Sequence, residues 1–425
     1  MRIAVLSLSL LFYFFAQSQS YTYYLTGDTT DVSPATMPGI CLMGGASEHD
    51  NAMIWFLERA NGGNVLVIRA SGSDGYNDYL YSDLGVTLQS VETIVFDNSS
   101  AAEDPFVLDR ISKAEAIWIA GGDQWDYVSY WRNSSVGTLL NTHILIKQSP
   151  IGGTSAGMAI LGGTYFSAEN GTITSSTALN NPFANSLTLG YEDFLHAPYL
   201  QHTVTDTHYD DPDRKGRHIT FLARMAADQG VIARGIACDE YTSVCIDENG
   251  IARVFGEYPT YDDFAYFLQA NCEGPIDPEI CQEGSPLTWD RNDAAVKVYF
   301  VQGDWEGTKH LDLNDWTTGS GGIWQNWWVE SGSLTELENE EPECATNLNE
   351  ESELDIFQLI EFSRPLNYIG VLEPDITVEV IDCRGVIIAR SSGQGVDMSQ
   401  AALGIYQVIV TDSDGQSGTV QVVKR

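Results

Sequence analysis

The first third of the chain alternates short apolar runs with amphipathic segments. The apolar runs that we predict as strands are residues 40–43, 65–68, 91–96, 116–120 and 144–151. Residues 51–60 and 104–112 lie between them and have helical spacing. Further strands are predicted over 230–245, 251–255 and 296–301. Because such alternation is typical of a parallel sheet with helices on both faces, the sequence predicts an α/β fold.

A Gly-x-Ser-x-Gly motif follows the fifth predicted strand. Residues 150–157 read Pro-Ile-Gly-Gly-Thr-Ser-Ala-Gly, with Ser155 at the centre of the motif. A serine hydroxyl is a weak nucleophile, and a strained strand-to-helix turn places it where a base can reach it. The N–H of Ala156, at the start of the following helix, is then a natural oxyanion donor. The alternative is an ordinary tight turn of small residues.

A second glycine-rich turn follows the predicted strand 116–120. It reads Gly121-Gly122-Asp123-Gln124. In open α/β sheets the ligand crevice lies outside the carboxyl ends of the strands. We therefore expect both turns to line one site.

His208 is our candidate for the general base. It lies in a strongly polar segment, residues 206–217, which also contains Asp206, Arg214 and Arg217. An imidazole among acids and bases suits proton transfer near neutral pH. Two alternatives stay open at this point: a surface loop histidine, or a metal site formed by His202, Asp206, His208 and Asp210.

A carboxylate is needed to orient the imidazole. Glu240 and Asp239 both lie at the end of a predicted strand. Glu240 is the better placed, but the sequence alone does not separate them, and either residue can instead cap a turn.

Four blocks, residues 120–124, 152–157, 206–217 and 235–240, resemble the cyanophycinase family of serine peptidases, which includes related aspartyl dipeptidases. The resemblance covers about residues 37–260. It implies a flavodoxin-like or class I glutamine amidotransferase-like α/β sandwich. It also implies activity without a metal or cofactor.

The resemblance also implies roles for individual residues. Ser155 is the expected nucleophile, His208 the base and Glu240 the orienting acid, with backbone oxyanion donors at Gly122 and Ala156. The expected substrate-binding residues are Asp123, Gln124, Thr154, Asp206, Arg214 and Arg217. Pro212 stands where members that degrade cyanophycin commonly have an arginine. The expected substrate is therefore either cyanophycin or another aspartyl or β-aspartyl peptide.

The two ends of the chain predict export. Residues 1–18 have the charged start, apolar run and small-residue end of a signal peptide. We predict a peptidase domain over 21–330, an acidic linker over 331–355 and a small all-β sandwich over 356–425. The last domain resembles a type IX secretion sorting domain, which implies the secretion machinery as a partner and a secreted or cell-surface protein. A plain β-sandwich appendage is the alternative.

Composition excludes some partners. The net charge of −38 opposes binding to nucleic acid or anionic membranes. After the signal peptide, no apolar run is long enough for a membrane span, so we expect a soluble mature protein with a peptide substrate. A homodimer is a further expectation. The disulfides that we predict are Cys238–Cys245, Cys272–Cys281 and Cys344–Cys383, with Cys41 as a buried thiol.

The alternative function is of another class: a non-catalytic protein would keep the same fold and bind a peptide or glycan in the crevice. Four tryptophans are candidates for a sugar-stacking surface: Trp316, Trp324, Trp327 and Trp328. Such aromatic residues more often cover the edge of a core.

Overall fold

The structure is a computed structural model. It describes residues 19–28, 30–342, 360–362, 368–371, 376–382, 387–393, 395–399, 401, 404–411 and 417–424. The chain divides into two compact units, Met1–Glu343 and Cys344–Arg425.

The strands of the first unit are β1 (Tyr21–Gly27), β2 (Gly39–Met43), β3 (Asn64–Arg69), β4 (Ser90–Phe96), β5 (Ala116–Ile119), β6 (Ile151–Thr154), β7 (Thr164–Phe166), β8 (Leu189–Tyr191), β9 (Thr203–Asp206), β10 (Arg234–Cys238), β11 (Ser243–Asp247), β12 (Ile251–Phe255), β13 (Phe264–Ala270), β14 (Val296–Gln302), β15 (Lys309–Asp312), β16 (Gly319–Ser320), β17 (Ile323–Glu330) and β18 (Ser333–Glu338). Its helices are α1 (Asp50–Glu58), α2 (Gly75–Asp78), α3 (Pro105–Lys113), α4 (Gln124–Trp131), α5 (Ser135–Thr142), α6 (Ala156–Ala159), α7 (Ser175–Asn180) and α8 (Lys215–Gln229).

The first sheet has ten strands in the order β1-β4-β3-β5-β6-β2-β11-β12-β15-β16. Strands β4, β3, β5, β6 and β2 are parallel, as the alternating sequence predicts. Their apolar runs are buried almost throughout, because helices cover a sheet of this kind on its faces. Strands β1 and β11 join this parallel centre in the antiparallel sense. The α/β class is therefore confirmed, but the sheet is mixed.

A second sheet was not predicted as a separate layer. Its eight strands have the order β18-β17-β14-β13-β10-β9-β7-β8. Strand β9 is parallel to β10 and β7, and β13, β14, β17 and β18 form antiparallel neighbours. These strands come from residues 164–338, so no local sequence pattern indicates which of them pair.

The predicted strand over 144–151 is wrong in its first half. His143–Lys147 continues from α5 as a π-helical turn, which ends at Gln148 in the left-handed conformation. The strand itself is Ile151–Thr154. An apolar run of this length suits a buried helix end as well as a buried strand, so its periodicity could not separate the two.

In the second unit, the regular elements among the described residues are all β-strands. Its strands are β19 (Ile360–Phe362), β20 (Tyr368–Val371), β21 (Thr377–Asp382), β22 (Ile387–Ser392), β23 (Val396–Asp397), β24 (Gly404–Thr411) and β25 (Ser417–Lys424). They form a three-stranded sheet, β19-β20-β23, and a four-stranded sheet, β22-β21-β24-β25. Ile369 and Val396 from the first sheet share one core with Val378 and Val408 from the second. The β-rich character predicted for this part of the chain is therefore observed.

Some predicted boundaries fall on residues that the structure leaves undescribed. The predicted signal peptide, residues 1–18, lies outside the described residues. Strand β18 occupies part of the predicted linker 331–355, and the remainder from residue 343 lies outside the described residues. Among the helices that the structure describes, none combines the length and hydrophobicity needed to cross a bilayer.

Two of the disulfide predictions are wrong. Cys238, Cys245 and Cys281 are free thiols, as is Cys41. Cys245 lies opposite Cys41 on the neighbouring strand, with the two sulfur atoms 3.7 Å apart. Cys272 is disulfide-bonded, but not to Cys281, whose thiol is free. The predicted Cys344–Cys383 pair lies outside the described residues.

The tryptophan cluster belongs largely to the cores. Trp316 and Trp327 are completely buried. Trp316 packs edge-on against Phe267, and Trp324 packs against Tyr299. This arrangement favours the core-edge interpretation over a sugar-stacking surface.

Candidate active site

Ser155 lies on a strained turn between β6 and α6. Its φ of +52° and ψ of −117° are conformations that a non-glycine residue rarely adopts. The Ser155 N–H donates to the Met43 carbonyl at 3.0 Å, which ties the turn to the end of β2. A Cβ at Gly157 would lie 2.1 Å from the Ile119 carbonyl oxygen, so only glycine fits there. The motif therefore holds the serine side chain in one orientation.

His208 connects Ser155 to Glu240. Its Nε2 lies 2.8 Å from Oγ of Ser155, and its Nδ1 lies 2.6 Å from Oε1 of Glu240. The three residues follow β6, β9 and β10, so the site joins the carboxyl ends of strands in both sheets. About a quarter of the His208 and Glu240 side chains remains exposed, so the site stays accessible to a substrate.

Two glycines that sequence reasoning missed support the histidine. The His208 N–H donates to the Gly44 carbonyl at 2.9 Å. Gly45 has a φ of +129°, and a Cβ at this position would lie 2.4 Å from Cε1 of His208. Both glycines follow the buried strand β2, as the second glycine-rich turn follows β5. That repeated position was the signal that could have found them.

Asp210, which the sequence suggested only as an alternative metal ligand, connects two loops of the site. Its Oδ1 accepts a hydrogen bond of 3.0 Å from the Glu240 N–H. Asp210 lies two residues after His208, so this bond joins the loop of the base to the loop of the acid.

The two candidate acids have different environments. Asp239 is 2% exposed, and its Oδ2 accepts a hydrogen bond of 3.2 Å from the Phe264 N–H. Burial, with the nearby Asp210 carboxylate, raises the pKa of Asp239 to about 8. Glu240 faces the imidazole instead. The geometry therefore separates two residues that the sequence left as alternatives.

The expected oxyanion donors lie beside the serine. A Cβ at Gly121 would lie 3.5 Å from Cβ of Ser155, so the second glycine-rich turn borders the nucleophile. Gly122 is exposed. Ala156 is the first residue of α6, where backbone N–H groups have no partner within the helix. This arrangement suits stabilisation of a negatively charged oxygen.

Asp206 and Arg217 form a buried ion pair. Nε of Arg217 lies 2.8 Å from Oδ2 of Asp206, and Nη2 donates to the other carboxylate oxygen. Burial alone would raise the pKa of Asp206, but the Arg217 guanidinium holds it below its usual value. Because Arg217 is 4% exposed, the pair favours a positioning role over the direct substrate contact that we expected.

Arg214 keeps hydrogen-bonding capacity. Its Nη1 lies 3.9 Å from Oδ1 of Asp206, and its buried Nε has no hydrogen-bond partner among the described residues. Burial, together with the charge of Arg217, lowers the pKa of Arg214. About a fifth of the side chain is exposed. Of the two arginines predicted to bind substrate, Arg214 is thus the one available for an anionic group.

The other predicted substrate ligands are partly occupied. Asp123 caps α4 by accepting a hydrogen bond of 2.9 Å from the Trp125 N–H. Gln124 donates through Nε2 to the Phe166 carbonyl at 3.1 Å, which leaves its amide oxygen as an acceptor. Thr154 is 5% exposed.

The alternative metal ligands face different partners. Nδ1 of His202 lies 3.6 Å from Oε1 of Glu192, while Asp206 pairs with Arg217 and His208 with Ser155 and Glu240. Within the part of the chain that the structure describes, no three or more His, Cys, Asp or Glu side chains cluster as metal ligands do.

Comparison with known proteins agrees with this geometry. Residues 47–254, just under half of the chain, match Peptidase family S51. Two proteins named cyanophycinase, from Synechococcus elongatus and Thermosynechococcus vestitus, are each 28% identical over 182 residues. The alignment covers 43% of this chain, and the chain spans half the length of these relatives. Over the matched residues the chain is thus similar to Peptidase family S51.

The S51 match contains Ser155, His208 and Glu240. It ends within β12, so β13–β18 and the second unit lie outside it. Among solved structures, a peptidase from an acI-B1 Actinobacterium is similar, with 14% identity and a TM-score of 0.35 over 52% of this chain and 89% of that one.

Proposed function

We propose that this protein is a secreted serine-type exopeptidase that hydrolyses cyanophycin or other aspartyl and β-aspartyl peptides. The observation that carries the proposal is the chain of two hydrogen bonds from Ser155 through His208 to Glu240, at 2.8 and 2.6 Å. A protein that only binds a peptide has no need of a serine hydroxyl held against an imidazole on a strained turn.

The geometry supports a two-step acyl transfer. Oγ of Ser155 attacks the scissile carbonyl while Nε2 of His208 takes its proton. Glu240 keeps the other ring proton on Nδ1 and stabilises the imidazolium that forms. The N–H groups of Gly122 and Ala156 donate to the oxyanion. His208 then returns the proton to the leaving amine, and water hydrolyses the acyl-enzyme.

Arg214 supports the choice of an acidic substrate. Its Nε is buried without a partner among the described residues, and a guanidinium group can bind a carboxylate through two parallel hydrogen bonds. The Asp206–Arg217 pair holds the neighbouring segment in place. Pro212, which stands where cyanophycin-degrading members commonly have an arginine, keeps other aspartyl peptides as alternative substrates.

Export is the second part of the proposal. It is supported by the signal-like character of residues 1–18 and by the resemblance of the all-β unit to a type IX secretion sorting domain. Secretion machinery is the partner that this resemblance implies. Fractionation of cells that express the full chain tests it: the protein should be found outside the cell or on its surface, and retention in the cytoplasm would contradict it.

Mass spectrometry of reaction products tests the substrate. The purified protein is incubated with cyanophycin and with matched α- and β-aspartyl peptides, beside Ser155→Ala. Release of β-aspartyl-arginine dipeptide by the wild type alone would identify a cyanophycinase. Cleavage confined to other aspartyl peptides would keep the mechanism and change the substrate. Equal products from wild type and Ser155→Ala would overturn the proposal.

A further inference from the structure

A polar cavity lies beside the catalytic turn and has no part in the mechanism above. Its volume is about 280 Å³. It is open to solvent on one side and is formed by the segment after β2, the end of β3 and the first turns after Gly75. The side chains that line it are Ser47, Glu48, Asp50, Arg69, Tyr76 and Tyr79.

Two tyrosine–carboxylate pairs form one part of its wall. The Tyr76 hydroxyl donates to Oε1 of Glu48, and the Tyr79 hydroxyl donates to Oδ1 of Asp50 at 2.9 Å. Burial raises the pKa of both phenols, so they remain donors and fix the two carboxylates. The cavity thus presents aromatic rings together with acceptor oxygens.

The single arginine in the wall is already engaged. Arg69 donates to the carbonyl of Ser71 and, through Nη1 at 3.0 Å, to the carbonyl of Ser73. Its guanidinium also lies 5.9 Å from the centre of the Tyr76 ring. Burial raises the pKa of Glu48, whereas the Tyr76 hydroxyl and the Arg69 guanidinium oppose that rise. With Asp50, the cavity thus has two carboxyl groups against one guanidinium, which already donates to its own loop.

The lining residues Glu48 and Arg69 approach the catalytic turn through two neighbouring residues. The Thr154 side chain lies near the Glu48 carboxylate, and Thr154 immediately precedes Ser155. From the other side, Arg69 donates to the carbonyl of Ser71, and a Cβ at Gly122 would lie 3.7 Å from Oγ of Ser71. A group of the substrate that enters the cavity would therefore belong to the molecule held at Ser155.

We propose that this cavity binds a cationic nitrogen group of the substrate, either a guanidinium or a terminal ammonium. Carboxylates form charge-assisted hydrogen bonds with such groups, and tyrosine faces attract them. The net charge of −38 favours the approach of a cation. The assignment to the substrate rests on the proposed function, whereas the binding of a cation does not.

Calorimetric titration of the full-length Ser155→Ala protein tests the proposal with two probes. Nα-acetylarginine amide carries a guanidinium without a free ammonium, and glycinamide carries an ammonium alone. Glu48→Gln removes the charge that we assign. Glu58→Gln is the matched control, because Glu58 is an exposed residue of the adjacent helix α1. Asp50→Asn is the second variant if Glu48→Gln does not fold.

We expect at least one probe to bind, with affinity reduced about tenfold by Glu48→Gln and unchanged by Glu58→Gln. The probe that binds identifies the source of the cation. With an active wild type, Glu48→Gln should raise KM for peptides that carry that group more than KM for matched peptides that lack it.

Two results would overturn the cavity as a cation site: neither probe binds, or both bind equally well to Glu48→Gln. Failure of the wild type to hydrolyse any peptide would instead overturn the proposed function and leave the binding result valid.

Discussion

The Glu240 N–H donates to Oδ1 of Asp210 at 3.0 Å and thereby joins the loop of the orienting acid to the loop of the base. Neither partner's role in this bond is visible from the motifs, because 30 residues separate them. Substitution of Asp210 therefore tests how Glu240 is positioned while Ser155, His208 and Glu240 themselves stay unchanged.

Asp210→Ala should lower kcat about ten- to a hundredfold with a smaller change in KM, because a shift of Glu240 misplaces the imidazole. Asp210→Asn keeps an acceptor oxygen and should restore most of the rate. Steady-state kinetics on the best peptide substrate measures both. A purely structural role for Asp210 would instead change the melting temperature of the alanine variant and leave its kcat near wild type.

Asp239 should reduce stability at neutral pH. Its pKa is raised to about 8, whereas the unfolded carboxyl titrates near 3.9. Between these values the folded state holds one more proton than the unfolded state, so this group makes stability fall as pH rises. Asp239→Asn should therefore increase the free energy of unfolding at pH 7 by about 1 to 4 kcal/mol. The difference between the two proteins should vanish below about pH 4.

Urea unfolding of the wild type and Asp239→Asn across this pH range measures the effect. A loss of stability on substitution at pH 7 would contradict the buried, protonated carboxyl. Peptidase activity should survive, because Asp239 makes no hydrogen bond to His208 among the described contacts.

Gly45→Ala should damage the site specifically. The new Cβ would lie 2.4 Å from Cε1 of His208, so the ring must move away from Ser155. Gly85→Ala is the matched control, since Gly85 also has positive φ but no atom within 4 Å of an added Cβ. Both variants should lose about 1 kcal/mol of stability from backbone strain, and only Gly45→Ala should lose most of its activity. Equal activities would show that the ring does not depend on this contact.

Arg217→Met should destabilise the fold more than it alters substrate binding. It leaves Asp206 charged and buried, at a cost of about 3 kcal/mol or more. Lys113→Met breaks the exposed pair with Asp109 and should cost no more than about 1 kcal/mol. Chemical denaturation compares the two. An unchanged stability with a large increase in KM would return Arg217 to the direct substrate role that the resemblance implied.

The sequence predicted best what depends on contiguous residues. Ser155 and His208 lie in short segments whose residue types alone indicate their chemistry. The strands of the parallel centre follow from apolar runs that the fold buries. Asp239 and Glu240 could not be separated, because their orientations depend on the pairing of β10 with β13 and of Asp239 with Phe264. Arg217 appeared to be a substrate ligand because sequence does not show that Asp206 neutralises it within the fold.

The central claim is tested most directly by reacting the wild-type protein with a serine-reactive phosphonate and mapping the modified residue by peptide mass spectrometry. We predict one adduct, at Ser155, which Ser155→Ala abolishes. His208→Gln and Glu240→Gln should slow the reaction by orders of magnitude while the proteins remain folded. Modification of folded wild-type protein at other serines with Ser155 unlabelled, or an unchanged rate in His208→Gln, would contradict a nucleophile activated by this histidine.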